Sequence, residues 1–154
     1  MKGNQKIIDA FNEVLAAELA AINQYFLHAE MCENWGYNKL HDEMKKHSIG
    51  EMKHAETAMA RMLYLEGSPN MSKMMKINIG NTVEEMQKND LQLEIDAVAR
   101  LNEFVKMATE LGDNGSKDIF QHILEDEEEH IDWIESQIDQ VRQMGIQNYL
   151  TTKV

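Results

Sequence analysis

Apolar residues recur every three or four positions along this chain, in blocks separated by glycine-containing breaks, which is the periodicity of amphipathic helices. The first block runs over 5–34 and carries Ile8, Phe11, Leu15, Leu19, Ile22 and Phe26 on one stripe, with Gly36 interrupting it. The second runs over 38–66 through Leu40, Met44, Met59, Met62, Leu63 and Leu65, and Gly67-Ser68-Pro69-Asn70 stops it. Thr82 followed by Glu85 is a capping box that opens a third helix over 82–111, with Leu91, Val98, Leu101, Val105 and Ala108 on its stripe and Gly112 at its end. A fourth covers 116–144 through Ile119, Ile123, Ile134, Ile138 and Val141 to Gly145, and 146–151 forms one further short helix.

Connection lengths order these helices in space. About three residues join helices 1 and 2, and again 3 and 4, so each pair is an antiparallel hairpin. The 15 or so residues from Gly67 to Asn81 are long for a loop in a compact domain. A crossover spanning the bundle, which makes helices 2 and 3 parallel, accounts for that length. The expectation is an all-α chain forming a single domain over 1–154. One proline and an abundance of Ala, Leu, Met, Glu and Lys agree with that class.

The stripes carry charged interruptions. Glu51-Met52-Lys53-His54 and Glu127-Glu128-Glu129-His130 each put a carboxylate and an imidazole on one helix face. Such spacing arises readily by chance, so its weight depends on where the strings fall. Glu51 is in register with Leu40, Met44, Ala55, Ala58 and Met62, and Glu127 lies between Ile123 and Ile134. The other two long helices show one interruption each: Glu18 among Phe11, Leu15, Ile22 and Tyr25, and Glu94 among Leu91, Val98, Leu101 and Val105. Taken singly, any of these residues reads as a solvated or hydrogen-bonded group. Together, four carboxylates on inward faces would repel unless cations neutralised them. Two divalent cations balance four carboxylates and two neutral imidazoles, and a carboxylate–imidazole donor set suits iron or manganese.

Composition narrows the remaining options. A formal charge of −12 opposes nucleic acid as a partner and suits attraction of cations, although it also serves plain solubility. The single Cys32 excludes an internal disulfide framework and fits a reducing cytoplasm. No apolar run is long enough for a signal peptide or a bilayer span, so a cytoplasmic location without membrane association is expected.

Several segments together resemble the bacterioferritins over nearly the whole chain. They are Ala21-Ile22-Asn23-Gln24-Tyr25-Phe26-Leu27-His28, Glu51-Met52-Lys53-His54-Ala55, Leu65-Glu66-Gly67, Asp126-Glu127-Glu128 with His130-Ile131-Asp132-Trp133, and Met144-Gly145 with Asn148-Tyr149-Leu150. The resemblance implies a ferritin-like four-helix bundle with a long crossover between helices 2 and 3 and a short fifth C-terminal helix. It implies an intrasubunit di-iron ferroxidase site formed by Glu18, Glu51, His54, Glu94, Glu127 and His130, with Glu51 and Glu127 bridging. It also implies haem b held across a two-fold dimer interface by Met52, a 24-subunit cage with residues 146–150 at four-fold pores, and a small ferredoxin as electron donor. Met52 sits about 100° round the helix from Glu51, so it cannot share the inward stripe. Read without the resemblance, it is an interface packing residue.

Two positions depart from the family pattern. Lys46 and Gly50 stand where some bacterioferritins carry a His and an Asp that hold a further iron on the cavity wall, and the neighbouring His47 points elsewhere on the helix. Tyr25 and Trp133 match family positions near the iron pair. The nearest alternative is a haem-free bacterial ferritin subunit that co-assembles with a haem-binding one. A rubrerythrin-like peroxidase would need a Cys-x-x-Cys module that one cysteine cannot supply. A DNA-binding mini-ferritin would lack the terminal helix, and a metal-free structural bundle leaves the inward carboxylates without a reason.

Overall fold

The computed structural model describes residues 1–154 and is all-helical. Four long helices, α1 (Gln5–Asn34), α2 (Asn38–Tyr64), α3 (Val83–Glu110) and α4 (Asn114–Met144), are followed by a short α5 (Ile146–Thr151). This is a four-helix bundle with an appended C-terminal helix, the fold class the periodicity points to. None of its helices is long and apolar enough to cross a membrane.

The helix ends follow from local hydrogen bonding. Asn4, Thr82 and Asp113 each accept a backbone N–H of the first turn of α1, α3 and α4. At α3 the reciprocal contact also forms: the Glu85 carboxylate accepts the Asn81 N–H at 2.7 Å. Asp113 rather than Ser116 is the cap of α4, so that helix begins two residues earlier than its apolar pattern suggests. Helices α1, α2 and α3 terminate in the same Schellman arrangement, with paired bonds such as Tyr37 N–H to Cys32 O and Gly36 N–H to Glu33 O. The left-handed position is Gly36 after α1 and Gly112 after α3, but Glu66 (φ 61°) after α2. Gly67 therefore does not end α2 as its sequence position implies. It is small because a Cβ there would approach Ile8 Cγ2 to 2.7 Å.

Residues 65–82 form the crossover, and α1 is its track. Asn70 N–H donates to Asn12, Met75 N–H to the Ala16 carbonyl, Asn78 N–H to Gln24 and Gly80 N–H to His28 Nε2. The segment thus climbs α1 from its N-terminal to its C-terminal end and delivers α3 antiparallel to α1 and parallel to α2. At the top, His28 Nε2 accepts from Gly80, so its proton is on Nδ1, which donates to Asp90 at 2.9 Å; Gln24 donates to the same Asp90 oxygen at 2.8 Å.

Two apolar plugs fill the bundle. One packs Ile7, Phe11, Leu15, Met62, Leu101 and Phe120, with the Phe11 and Phe120 rings stacked at 4.2 Å. The other packs Ala29, Cys32, Leu40, Met44, Met86 and Tyr149, the last anchored through its hydroxyl to Gln137 and Gln87. Two residues assigned to the inward stripes by periodicity are not there: Phe26 is 55% exposed and Leu63 63%. Both lie at the edge of the apolar arc, where a rotation of a few tens of degrees decides between core and surface.

Two glycines give opposite expectations. A Cβ at Gly80 would run into the backbone of Met86, whereas one at Gly50 meets nothing within 4 Å. Gly80→Ala should destabilise the chain by about 1–3 kcal/mol, and Gly50→Ala should stabilise it by about 0.5–1 kcal/mol through helix propensity. Thermal or denaturant unfolding of the two variants checks this; shifts of the same sign would contradict it.

Candidate metal centre

Between the two plugs lies a polar layer, and all six residues singled out from the stripes meet in it. Glu18 comes from α1, Glu51 and His54 from α2, Glu94 from α3, and Glu127 and His130 from α4. The four carboxylates and His54 are buried, and His130 is nearly so. They form two overlapping sets, Glu18–Glu51–His54–Glu127 and Glu51–Glu94–Glu127–His130, in each of which one donor atom per residue lies within 4.8 Å of the others. Glu51 and Glu127 belong to both.

The shared carboxylates each face both ways. Glu51 turns Oε2 to His54 Nδ1 (3.8 Å) and Oε1 to His130 Nδ1 (3.1 Å). Glu127 turns Oε1 to His54 Nδ1 (3.0 Å) and Oε2 to His130 Nδ1 (4.0 Å). Glu18 stands beside His54 at 3.6 Å and Glu94 beside His130 at 3.4 Å. Many of these atoms converge without satisfying one another. Glu18 Oε2, Glu51 Oε1, Glu94 Oε2, both Glu127 oxygens and His54 Nδ1 are buried with no hydrogen-bond partner. Orphaned acceptors of this kind are rare in a folded core and call for an explanation.

The proton affinities show the strain in the layer. Burial, reinforced by the neighbouring carboxylates, raises the pKa values of Glu18, Glu94 and Glu127. Burial and Glu94 push Glu51 the same way, but its contacts with Glu18, His130 and His54 bring it below the usual carboxylate value. Burial would depress both histidines. For His130, contacts with Glu51 and Glu94 prevail and raise it to about 11; for His54, Glu127, Glu18 and Glu51 raise it as well. The layer thus retains protons to offset its carboxylates, and divalent cations could replace those protons with better geometry.

Other groups support the layer. Tyr25 donates its hydroxyl to Glu94 at 2.6 Å. His47 stacks on His130 with ring centres 4.4 Å apart and meets Trp133 and Tyr25 edge-on at 5.0 and 5.3 Å. Burial, then the neighbouring His130 charge, lowers the His47 pKa to about 3, so that ring is neutral. Asp126 accepts from His54 Nε2 at 2.7 Å. Neither the His47 stack nor the Asp126 bond is visible from the stripes. Asp90 and His28 left a fainter signal, since Asp90 lies one turn before Glu94 on the same face. A cavity of about 150 Å³, flanked by Ala17, Ala20, Ala21 and Ala97, reaches Glu18, Glu51 and Glu127 from the α1–α3 side.

Met52 is 48% exposed and faces away from the layer. Lys46 and Gly50 line a surface hollow beside His47 and His130 on the opposite, α2–α4 side, and bring no carboxylate or imidazole of their own to it.

A profile of the ferritin-like domain matches residues 8–144. Among curated proteins, the chain is 39% identical over 154 residues to the bacterioferritin of Streptomyces coelicolor, covering 100% of this chain and 92% of that one. It is 40% identical over 149 residues to the bacterioferritin of Brucella melitensis, covering 97% and 92%. The bacterioferritin of Mycobacterium tuberculosis is 39% identical over 149 residues, covering 97% and 94%. With that extent of identity, a matching domain and the same bundle, the chain belongs to the ferritin family, in its bacterioferritin group.

Proposed function

We propose that this chain stores iron and oxidises it on entry, as a ferroxidase. The observation that carries the reading is the pair of four-residue donor sets sharing Glu51 and Glu127, with six buried donor atoms that nothing in the chain satisfies. Two Fe²⁺ ions are the substrate. Glu18 and His54 hold one, Glu94 and His130 the other, and the shared carboxylates keep the two close enough to deliver two electrons to one acceptor. The acceptor is O₂, reduced with two protons to H₂O₂, or H₂O₂, reduced with two protons to two waters. The resulting Fe³⁺ passes to a mineral within a 24-subunit homomeric cage whose four-fold pores α5 would line. The acidic composition favours delivery of Fe²⁺ to such a shell. Neither nucleic acid nor membrane is a partner in this reading.

Met52 supports a second component, haem b. Ile49 and Met52 are one turn apart on α2 and half exposed, and Phe26 is 55% exposed on α1. Ser48 ties the two helices at this level by donating to the Ile22 carbonyl at 2.9 Å. An apolar outer face with one thioether on it fits a flat apolar macrocycle sandwiched between two copies, each supplying one Met52. Bound there, haem would carry electrons from a small ferredoxin to stored iron for release. The exposed ring of Phe26 has a use in this reading.

Glu18→Ala and His130→Ala should each slow the fast phase of Fe²⁺ oxidation at least ~10-fold, following the 10–100-fold losses typical of disturbed metal sites. Stopped-flow absorbance after mixing Fe²⁺ with the assembled protein in air measures this, and wild-type rates in both variants would refute the intrasubunit site. For haem, reconstituted protein should show the spectrum of bis-thioether ligation, lost in Met52→Ala. A wild-type protein that takes up no haem would instead favour a haem-free subunit in a mixed cage.

A further inference from the structure

His54 and His130 occupy equivalent positions in the two donor sets but are held in different ways. His54 presents Nδ1 to Glu18, Glu51 and Glu127, and its other nitrogen, Nε2, lies 2.7 Å from Asp126 Oδ2. A carboxylate accepts and does not donate, so Nε2 carries the proton and donates it. When a cation takes the place of the other ring proton, the lone pair of the then neutral ring is confined to Nδ1, on the side where the carboxylates converge. Asp126 is fixed for this task by its place on α4, immediately before Glu127, and its side chain is 36% exposed. His122, one turn earlier, sets Nε2 at 3.8 Å from the same Asp126 oxygen.

His130 has no counterpart of Asp126. Its Nδ1 faces Glu51 and Glu94, but its Nε2 makes no hydrogen bond within the chain. The neutral His47 ring stacked on it, tilted by 27°, limits tipping of the imidazole but neither selects a tautomer nor resists rotation in the ring plane.

We propose that Asp126 is a positioning residue that locks the tautomer and orientation of His54, and that it makes the Glu18–His54 metal position the tighter of the two. This rests on the di-iron reading above. A carboxylate on the distal nitrogen of a metal-binding imidazole raises its basicity and fixes its direction, and loss of such a partner weakens metal affinity about 10–100-fold. The effect should fall on one position only, because Asp126 touches one of the two histidines.

Cobalt(II), titrated into the assembled protein and followed by its visible absorption, is a suitable probe, and anomalous diffraction at the cobalt edge tells the two positions apart. In the wild type, two equivalents should bind, the Glu18–His54 position filling first. In Asp126→Ala one step should weaken about 10–100-fold and the order of filling should even out or reverse, with the Glu94–His130 step unchanged. Asp126→Asn, which keeps an acceptor but no charge, should fall between and guards against a folding defect in the alanine variant. In a His54→Ala background, Asp126→Ala should add nothing. Wild-type binding in Asp126→Ala, equal weakening of both steps, or a further loss in the His54→Ala background would each overturn the assignment of Asp126 while leaving the di-iron site standing. A wild-type protein that binds no cobalt at these residues would instead overturn the di-iron reading, and the role of Asp126 with it.

Discussion

Four carboxylates in one buried layer are the constraint around which this molecule is arranged. Two like charges about 4 Å apart repel by roughly 4 kcal/mol at an effective dielectric of 20, and a domain of this size is stable by only about 5–15 kcal/mol. Glu18, Glu51, Glu94 and Glu127 therefore cannot all be ionised and unpaired in the folded chain. Protonated histidines and retained carboxyl protons provide one way to neutralise them, and divalent cations provide another. The apolar plugs above and below make the choice sharp, because they confine the cluster to a buried layer in which its charges interact strongly. A bundle with a uniformly apolar core would be easier to fold, but it would have nothing to offer a metal.

Holding six donors from four helices in register demands rigid placement, and the crossover provides much of it. Gln24, Tyr25 and His28 occupy little more than one turn of α1. Gln24 and His28 bind Asp90, and Tyr25 binds Glu94, one turn further along α3. The same His28 and Gln24 accept from Gly80 and Asn78 of the crossover. One short piece of α1 thus fixes where α3 starts and where its donor carboxylate arrives. The loop that looks long for a compact domain is a measuring strap laid along α1, with a hydrogen bond at nearly every turn.

Helix α2 shows how a single element serves two environments. Glu51 and His54 turn inward to the carboxylate layer, while Ile49 and Met52 are half exposed on the outside. Angular separation on a helix keeps these roles independent, so the inner chemistry and the outer surface can vary separately. On the α4 side the same helix carries Lys46 and Gly50, which line a surface hollow beside His47 and His130. The supporting shell of the layer is lopsided too, with a hydrogen bond behind one histidine and a stacked ring behind the other.

Most of the architecture was legible in the sequence because it is encoded locally. Period, caps and connection lengths located the four long helices, the crossover and the terminal turn, and charged breaks in four apolar stripes marked Glu18, Glu51, Glu94 and Glu127. The errors lie where a local rule meets a choice only packing can make. Glu66 takes the left-handed turn that a glycine was expected to take, because Gly67 is needed beside Ile8. Phe26 and Leu63 sit at stripe edges, and helix rotation put them outside. The supporting contacts were not legible at all: Asp126 reaches His54 across 72 positions of chain, and His47 finds His130 from another helix. Periodicity determines which face a residue occupies, and so the sequence by itself determined which carboxylates and imidazoles turn into the layer. Which side chain stands behind each donor depends on the distance and rotation between helices, and only the tertiary structure decided that.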